Sequence, residues 1–181
     1  MLQILRTSRL SAWSRTNRQL LKAFGIFALW AGSLYGIVYS EWFIAAAVNP
    51  LAASLATLLH NLLPGLGFAS EKIGTLLRYD QFSMEIYYKC TGVYQGAGML
   101  AAILAFPVAW RTKLRGVLLC AFALSVINIV RLISIFYVGV FYPAFVDFFH
   151  AIFWEGMMVV LAVVLFAAWA LRVSKTLPSL R

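Results

Sequence analysis

The chain has 181 residues, of which 63% are hydrophobic and 12% charged, with a mean hydropathy of +0.87; soluble domains run to roughly half apolar and a quarter charged. Twenty-one formal charges cannot clothe a water-facing surface of this size, so a soluble globular enzyme and a disordered chain are both excluded, and most of the outer face must meet lipid. The net charge of +9 accompanies no groove-binding motif, which excludes a nucleic-acid reader and leaves the basic residues to be read as membrane topology.

The predicted fold is an all-α polytopic membrane protein in one membrane domain. Residues 1–22 form a basic N-terminus carrying Arg6, Arg9, Arg15, Arg18 and Lys22. Four stretches reach the length of about 20 residues that crosses a bilayer: 23–40, 91–109, 116–138 and 150–171. Arg111, Lys113 and Arg115 separate the second from the third, and the tail 172–181 carries Arg172, Lys175 and Arg181. The positive-inside bias then puts both termini in the cytoplasm of a bacterial inner membrane. The apolar run 23–40 is too long for the core of a secretory signal, so it reads as a retained anchor.

The segment 41–89 is expected outside. Within it, 42–68 is apolar but holds Asn49, Pro50, His60, Asn61 and Pro64. If it does not span, 11 of the 15 basic residues are cytoplasmic; if it does, Arg111, Lys113, Arg115 and the tail move outside. The first arrangement fits the charge rule better. It makes 42–68 an interfacial helix with Leu51, Leu55, Leu58, Leu59, Leu62 and Leu63 on one side; a fifth span is the alternative. Residues 72–79 and 81–88 meet at Asp80 and read as a small β-hairpin, because Phe82, Met84 and Ile86 alternate with Gln81, Ser83 and Glu85.

Counted at about 1.5 Å per residue from the cytoplasmic boundaries, Cys90, Arg131, His150 and Glu155 lie about 24–31 Å up, in one outer layer. Three helices therefore bring a thiol, a guanidinium and an imidazole to the extracytoplasmic edge of the hydrocarbon. That set suits nucleophilic acyl transfer: Cys90 as nucleophile, His150 as its base and later acid, Arg131 stabilising the thiolate or oxyanion. Asp147, three residues before His150, is placed to orient the ring, and Asn128 shares the helix of Arg131.

Each residue also has a plainer reading. Cys90 can be a small buried hydrophobe, as Cys120 is expected to be, and His150 an interfacial residue at a helix start. Arg131 can pair with Glu155 to lock two helices, which would make the chain a non-catalytic membrane subunit. A proton-coupled carrier lacks polar residues in the inner halves of the helices, and a thiol oxidoreductase lacks a second nearby cysteine. No cofactor-binding motif and no cluster with metal-ligand spacing is apparent.

Cys90-Thr91-Gly92 opening one span, Asn128-Ile129-Val130-Arg131 late in the next and His150 opening the last resemble the exosortase/archaeosortase family over about residues 70–172. Ala102 to Pro107, Arg131 to Tyr137 and Tyr142-Pro143-Ala144 look most like its short exosortase H type, although one span precedes this core where many members have more. The resemblance implies a membrane cysteine transpeptidase that recognises a C-terminal sorting tail on membrane-anchored proteins, with Cys90, Arg131 and His150 in the family's catalytic roles. It implies transfer of the cleaved product to an acceptor; a lipid, a glycan or water remains open.

Overall fold

The computed structural model describes residues 2–176. The first helix, α1, runs Leu2–Val38, longer than the predicted span; its segment Leu21–Val38 has the length and apolar composition to cross a membrane. Ser40 caps the next helix by accepting the Phe43 N–H at 3.3 Å. That helix starts as α2 (Glu41–Phe43), passes through a π-helical turn Ile44–Val48 and continues as α3 (Asn49–Leu62), with Pro50, which removes one helical hydrogen bond, directly after the π turn. A 3-10 turn, Leu63–Leu66, ends it at Gly67 in the left-handed region.

The predicted hairpin is a three-stranded antiparallel sheet: β1 (Glu71–Ile73), β2 (Leu76–Tyr79) and β3 (Phe82–Glu85) in the order β1-β2-β3. The stretch read as one strand, 72–79, turns back on itself at Gly74, whose φ of +64° a side chain would resist. Asp80, at φ +53°, makes the second turn, which its residue type tolerates. The alternation in β3 holds: Phe82 and Met84 are partly covered, Ile86 is buried, and Ser83 and Glu85 are exposed.

Beyond the sheet, a 3-10 turn Tyr88–Thr91 leads through Gly92 into α4 (Val93–Ala105). Helix α4 has 13 residues, about 20 Å of rise, so the predicted span 91–109 is corrected to a shorter helix. It stops because Pro107 drives the residue before it, Phe106, into extended backbone. Helix α5 (Trp110–Phe141) overruns the predicted 116–138 at both ends. A 3-10 turn Pro143–Phe145 and a π-helix Phe148–Trp154 then lead into α6 (Glu155–Thr176).

Four stretches of the described residues are long and apolar enough to cross a membrane: Leu21–Val38, Glu41–Leu66, Trp110–Phe141 and Pro143–Lys175. Three coincide with predicted spans, while the fourth is the segment read as interfacial. Its six leucines do not share one environment. Ala52, Ala56, Leu59 and Leu63 are buried, whereas Leu51, Leu58 and Leu62 are exposed. Ala52 and Ala56 let α3 approach its neighbours closely beside Leu59 and Leu63, and Leu51, Leu58 and Leu62 face outward.

Two apolar clusters hold the molecule together. One joins α3, the sheet, Cys90 and the C-terminal half of α5 through Leu59, Leu77, Ile86, Leu132 and Phe136. The other joins α4, α5 and α6 through Ile103, Leu124, Met158 and Trp169. Helix α4 packs against α1, α5 and α6. Leu118, Phe122, Val126 and Val130 form an exposed stripe at helical spacing along α5, the pattern of a lipid-facing surface.

Candidate active site

Cys90 sits on the 3-10 turn Tyr88–Thr91, at the point where the sheet hands the chain to α4. Backbone and side-chain bonds fix that turn. The Cys90 N–H donates to the Tyr87 carbonyl at 2.8 Å, Thr91 Oγ1–H to the Tyr88 carbonyl at 2.8 Å, and Asn128 Nδ2 to the Cys90 carbonyl at 3.0 Å. Gly92 takes φ +74°, and a Cβ there would stand 3.5 Å from Asn128 Cγ. The glycine provides the left-handed turn that lets α4 start directly behind the cysteine.

The Cys90 side chain is 4% exposed and its Sγ lies 3.8 Å from His150 Nε2. Burial pushes the thiol above the ordinary cysteine range; a backbone hydrogen bond from Tyr87 and the nearby Arg131 charge pull the other way. His150 occupies the middle of the π-helix Phe148–Trp154, a geometry that recurs at functional positions. The ring of Tyr87 lies 6.4 Å from the imidazole, centre to centre, at an interplanar angle of 32°. Cys90 and Cys120 are both buried free thiols; Cys120 packs in the α4–α5–α6 cluster, as expected of a small hydrophobe.

Arg131 is 1% exposed, and its Nε and Nη1 are buried with no hydrogen-bond partner. Its charge acts on both Cys90 and His150. The expected alternative, a pair with Glu155, is not formed. No ion pair joins the two among the described residues, and Glu155 lies on the exposed face of its helix. Asp147 is likewise exposed and makes no hydrogen bond to the His150 ring, so its expected orienting role takes at most the form of a nearby charge.

The structure thus brings Cys90, Asn128, Arg131 and His150 together and leaves Asp147 and Glu155 at the edge. Sequence reasoning missed Tyr87, which touches both the cysteine turn and the imidazole. Its position in an alternating run read as strand concealed it. His60 pairs its Nδ1 with Ser70 Oγ at 3.1 Å and ties α3 to the residue that leads into β1.

No curated protein and no solved structure matches the chain. A family comparison does match, under the description transmembrane exosortase (Exosortase_EpsH), and it covers residues 8–169, well beyond the 70–172 stretch on which the resemblance rested. With this match over most of a multi-pass helical chain, the protein belongs to the transmembrane exosortase family, and with it to a membrane transpeptidase-type role.

Proposed function

We propose that the protein is a membrane-embedded cysteine transpeptidase that cleaves C-terminal sorting tails from exported proteins at the outer face of the bacterial inner membrane. Both termini are cytoplasmic in this reading, and the layer of Cys90, Arg131 and His150 faces outward. The carrying observation is the 3.8 Å approach of Cys90 Sγ to His150 Nε2 beside a buried guanidinium that has no carboxylate partner among the described residues.

His150 Nε2 takes the Cys90 proton as the sulfur attacks the scissile carbonyl. A tetrahedral oxyanion forms, and the N–H groups of Arg131, unsatisfied in the resting site, are the donors that meet it. Collapse breaks the C–N bond, and His150 returns its proton to the departing amine. The product acyl group is left as a thioester on Cys90. An acceptor amine or water then attacks the thioester and releases the thiol. Asn128 holds the Cys90 carbonyl and so fixes where the sulfur points.

Among the described residues Arg131 has no partner of the kind that a helix-locking role requires, which disfavours the non-catalytic reading. The test is co-expression of the protein, intact or as Cys90→Ala, with a tail-bearing protein from the same genome, following the latter's size on a gel. Processing is expected to stop in Cys90→Ala while the variant still accumulates in the membrane. Unchanged processing by Cys90→Ala would overturn the assignment, and the mass of the product separates transfer from hydrolysis.

A further inference from the structure

A base that serves Cys90 must keep a lone pair on the sulfur. The lone pair of His150 Nε2 lies in the plane of the imidazole, so it meets Sγ, 3.8 Å away, only while the ring holds that plane. Rotation about the histidine Cβ–Cγ bond is soft, and a catalytic histidine is ordinarily held against it by a hydrogen bond on its other nitrogen. Among the described residues nothing bonds His150 Nδ1, and Asp147, three residues before it, is exposed. The π-helix fixes where the ring is attached but leaves its plane free.

Tyr87 meets both members of the dyad. Its main chain is extended, at φ −114° and ψ −179°; its carbonyl accepts the Cys90 N–H at 2.8 Å, and a backbone hydrogen bond from Tyr87 reaches the thiol. Its ring lies 6.4 Å from the imidazole, centre to centre, and only 32° from parallel to it. That separation falls within the range of about 4.5–7 Å over which offset rings attract. Tyr87 is held in turn by Tyr88, whose ring stands edge to face against it at 5.5 Å and 81°, and Tyr88 by Tyr94 of α4 at 6.3 Å. The fold does not rest on Tyr87, which is 37% exposed and belongs to neither apolar cluster.

We propose that Tyr87 is a positioning residue of the dyad: its ring holds the plane of the His150 imidazole, so that the Nε2 lone pair stays on Cys90 Sγ. It takes the part that a hydrogen-bonded carboxylate plays in a triad, with a flat face in place of a charge. The inference rests on the reading of Cys90 and His150 as nucleophile and base. An aromatic pair favours its own geometry by up to about tenfold in population, which sets the size of the effect. The face of the ring is what acts, so phenylalanine serves as well as tyrosine and an aliphatic side chain of similar bulk does not.

The full chain in detergent micelles is alkylated with iodoacetamide at pH 8, and modification of Cys90 is followed by mass spectrometry of its own peptide. In the intact chain His150→Gln is expected to slow the reaction about tenfold, because the neutral thiol loses the group that takes its proton. In Tyr87→Phe the same change again costs about tenfold, whereas in Tyr87→Leu it costs less than about twofold, since an unaimed imidazole leaves nothing for the second substitution to remove. Comparing rates within one background cancels any change in access to the sulfur. Cys120, 2% exposed, stays unmodified in variants that keep the fold; Tyr87→Met, flexible and without a flat face, repeats the test should Tyr87→Leu fail that check. An undiminished effect of His150→Gln in Tyr87→Leu would overturn the proposal and leave the dyad standing. Loss of the effect in Tyr87→Phe would overturn it too, by giving the part to the hydroxyl. No slowing by His150→Gln in the intact chain would instead remove the dyad itself, and this inference with it.

Discussion

Replacing Arg131 with Met separates a reactive guanidinium from a structural one, because the two predict opposite signs for stability. Arg131 is almost completely buried, and two of its guanidinium nitrogens donate to nothing. Each buried unsatisfied polar group costs about 1–3 kcal/mol. Met keeps much of the aliphatic stem, and exchanging buried charge for apolar volume is commonly neutral or stabilising by about 1–4 kcal/mol. Arg131→Met is therefore expected to stabilise the folded protein by about 2 kcal/mol, read as a higher denaturant midpoint in reversible unfolding from mixed micelles. The same variant loses the cation that favours the Cys90 thiolate, so alkylation of Cys90 by iodoacetamide at pH 8 slows. If Arg131 were instead one half of a helix-locking pair, its removal would strand a buried partner and destabilise by about 3–5 kcal/mol. A destabilisation of that size would refute the reasoning, and Glu155→Gln would then have to reproduce it.

Three further outcomes follow from the same geometry. Burial raises the Cys90 thiol, so its neutral form persists above pH 7 and thiolate appears only as pH climbs past the raised value; the alkylation rate should rise with a midpoint above the roughly 8.5 of a free thiol, and a midpoint at or below that value would contradict the burial argument. Gly92→Ala forces a side chain into a backbone with φ +74°, costing about 1–2 kcal/mol in thermal unfolding; an unchanged transition would mean that the turn relaxes freely. In Gly139→Ala the new Cβ would stand 2.0–2.4 Å from ring carbons of Phe82, so the ring must leave its seat on α5 at a cost of about 1–3 kcal/mol. Limited trypsin digestion should then cut faster at Arg78, and adding Phe82→Ala should remove the clash term, leaving the double variant less impaired than the sum of the two.

Which parts of this structure were legible in the sequence depends on what each residue answers to. Helix rise is a property of the backbone alone, so counting residues was enough to set Cys90, Arg131 and His150 at one depth, and the thiol and imidazole do meet. The alternation in β3 was readable because one face of that strand is covered by protein and the other is not. Lateral neighbours inside a membrane are harder, since lipid and protein interior are equally apolar and hydropathy does not separate them. That is why Glu155 was matched to Arg131 by depth although it faces outward, and why the leucines of α3 were assigned to a single side. The π-helix around His150 leaves no mark in residue spacing, and Gly74 was passed over inside an otherwise strand-like run. Tyr87 became visible as part of the site only once His150 was seen beneath its ring.

The π-helix Phe148–Trp154 carries a consequence for how this protein tolerates change in length. Such a segment is an α-helix with one residue too many, and removing that residue would let the helix close into ordinary α geometry with better-aligned hydrogen bonds. Everything on one side of the deletion would turn by about 100° and shift by about 1.5 Å relative to the other side. Deleting Ile152 would therefore leave a helix of greater intrinsic stability that no longer aims His150 at Cys90. The surplus residue works as a pointing device, and a shorter, more regular version of this helix would be a better helix in a protein without its dyad.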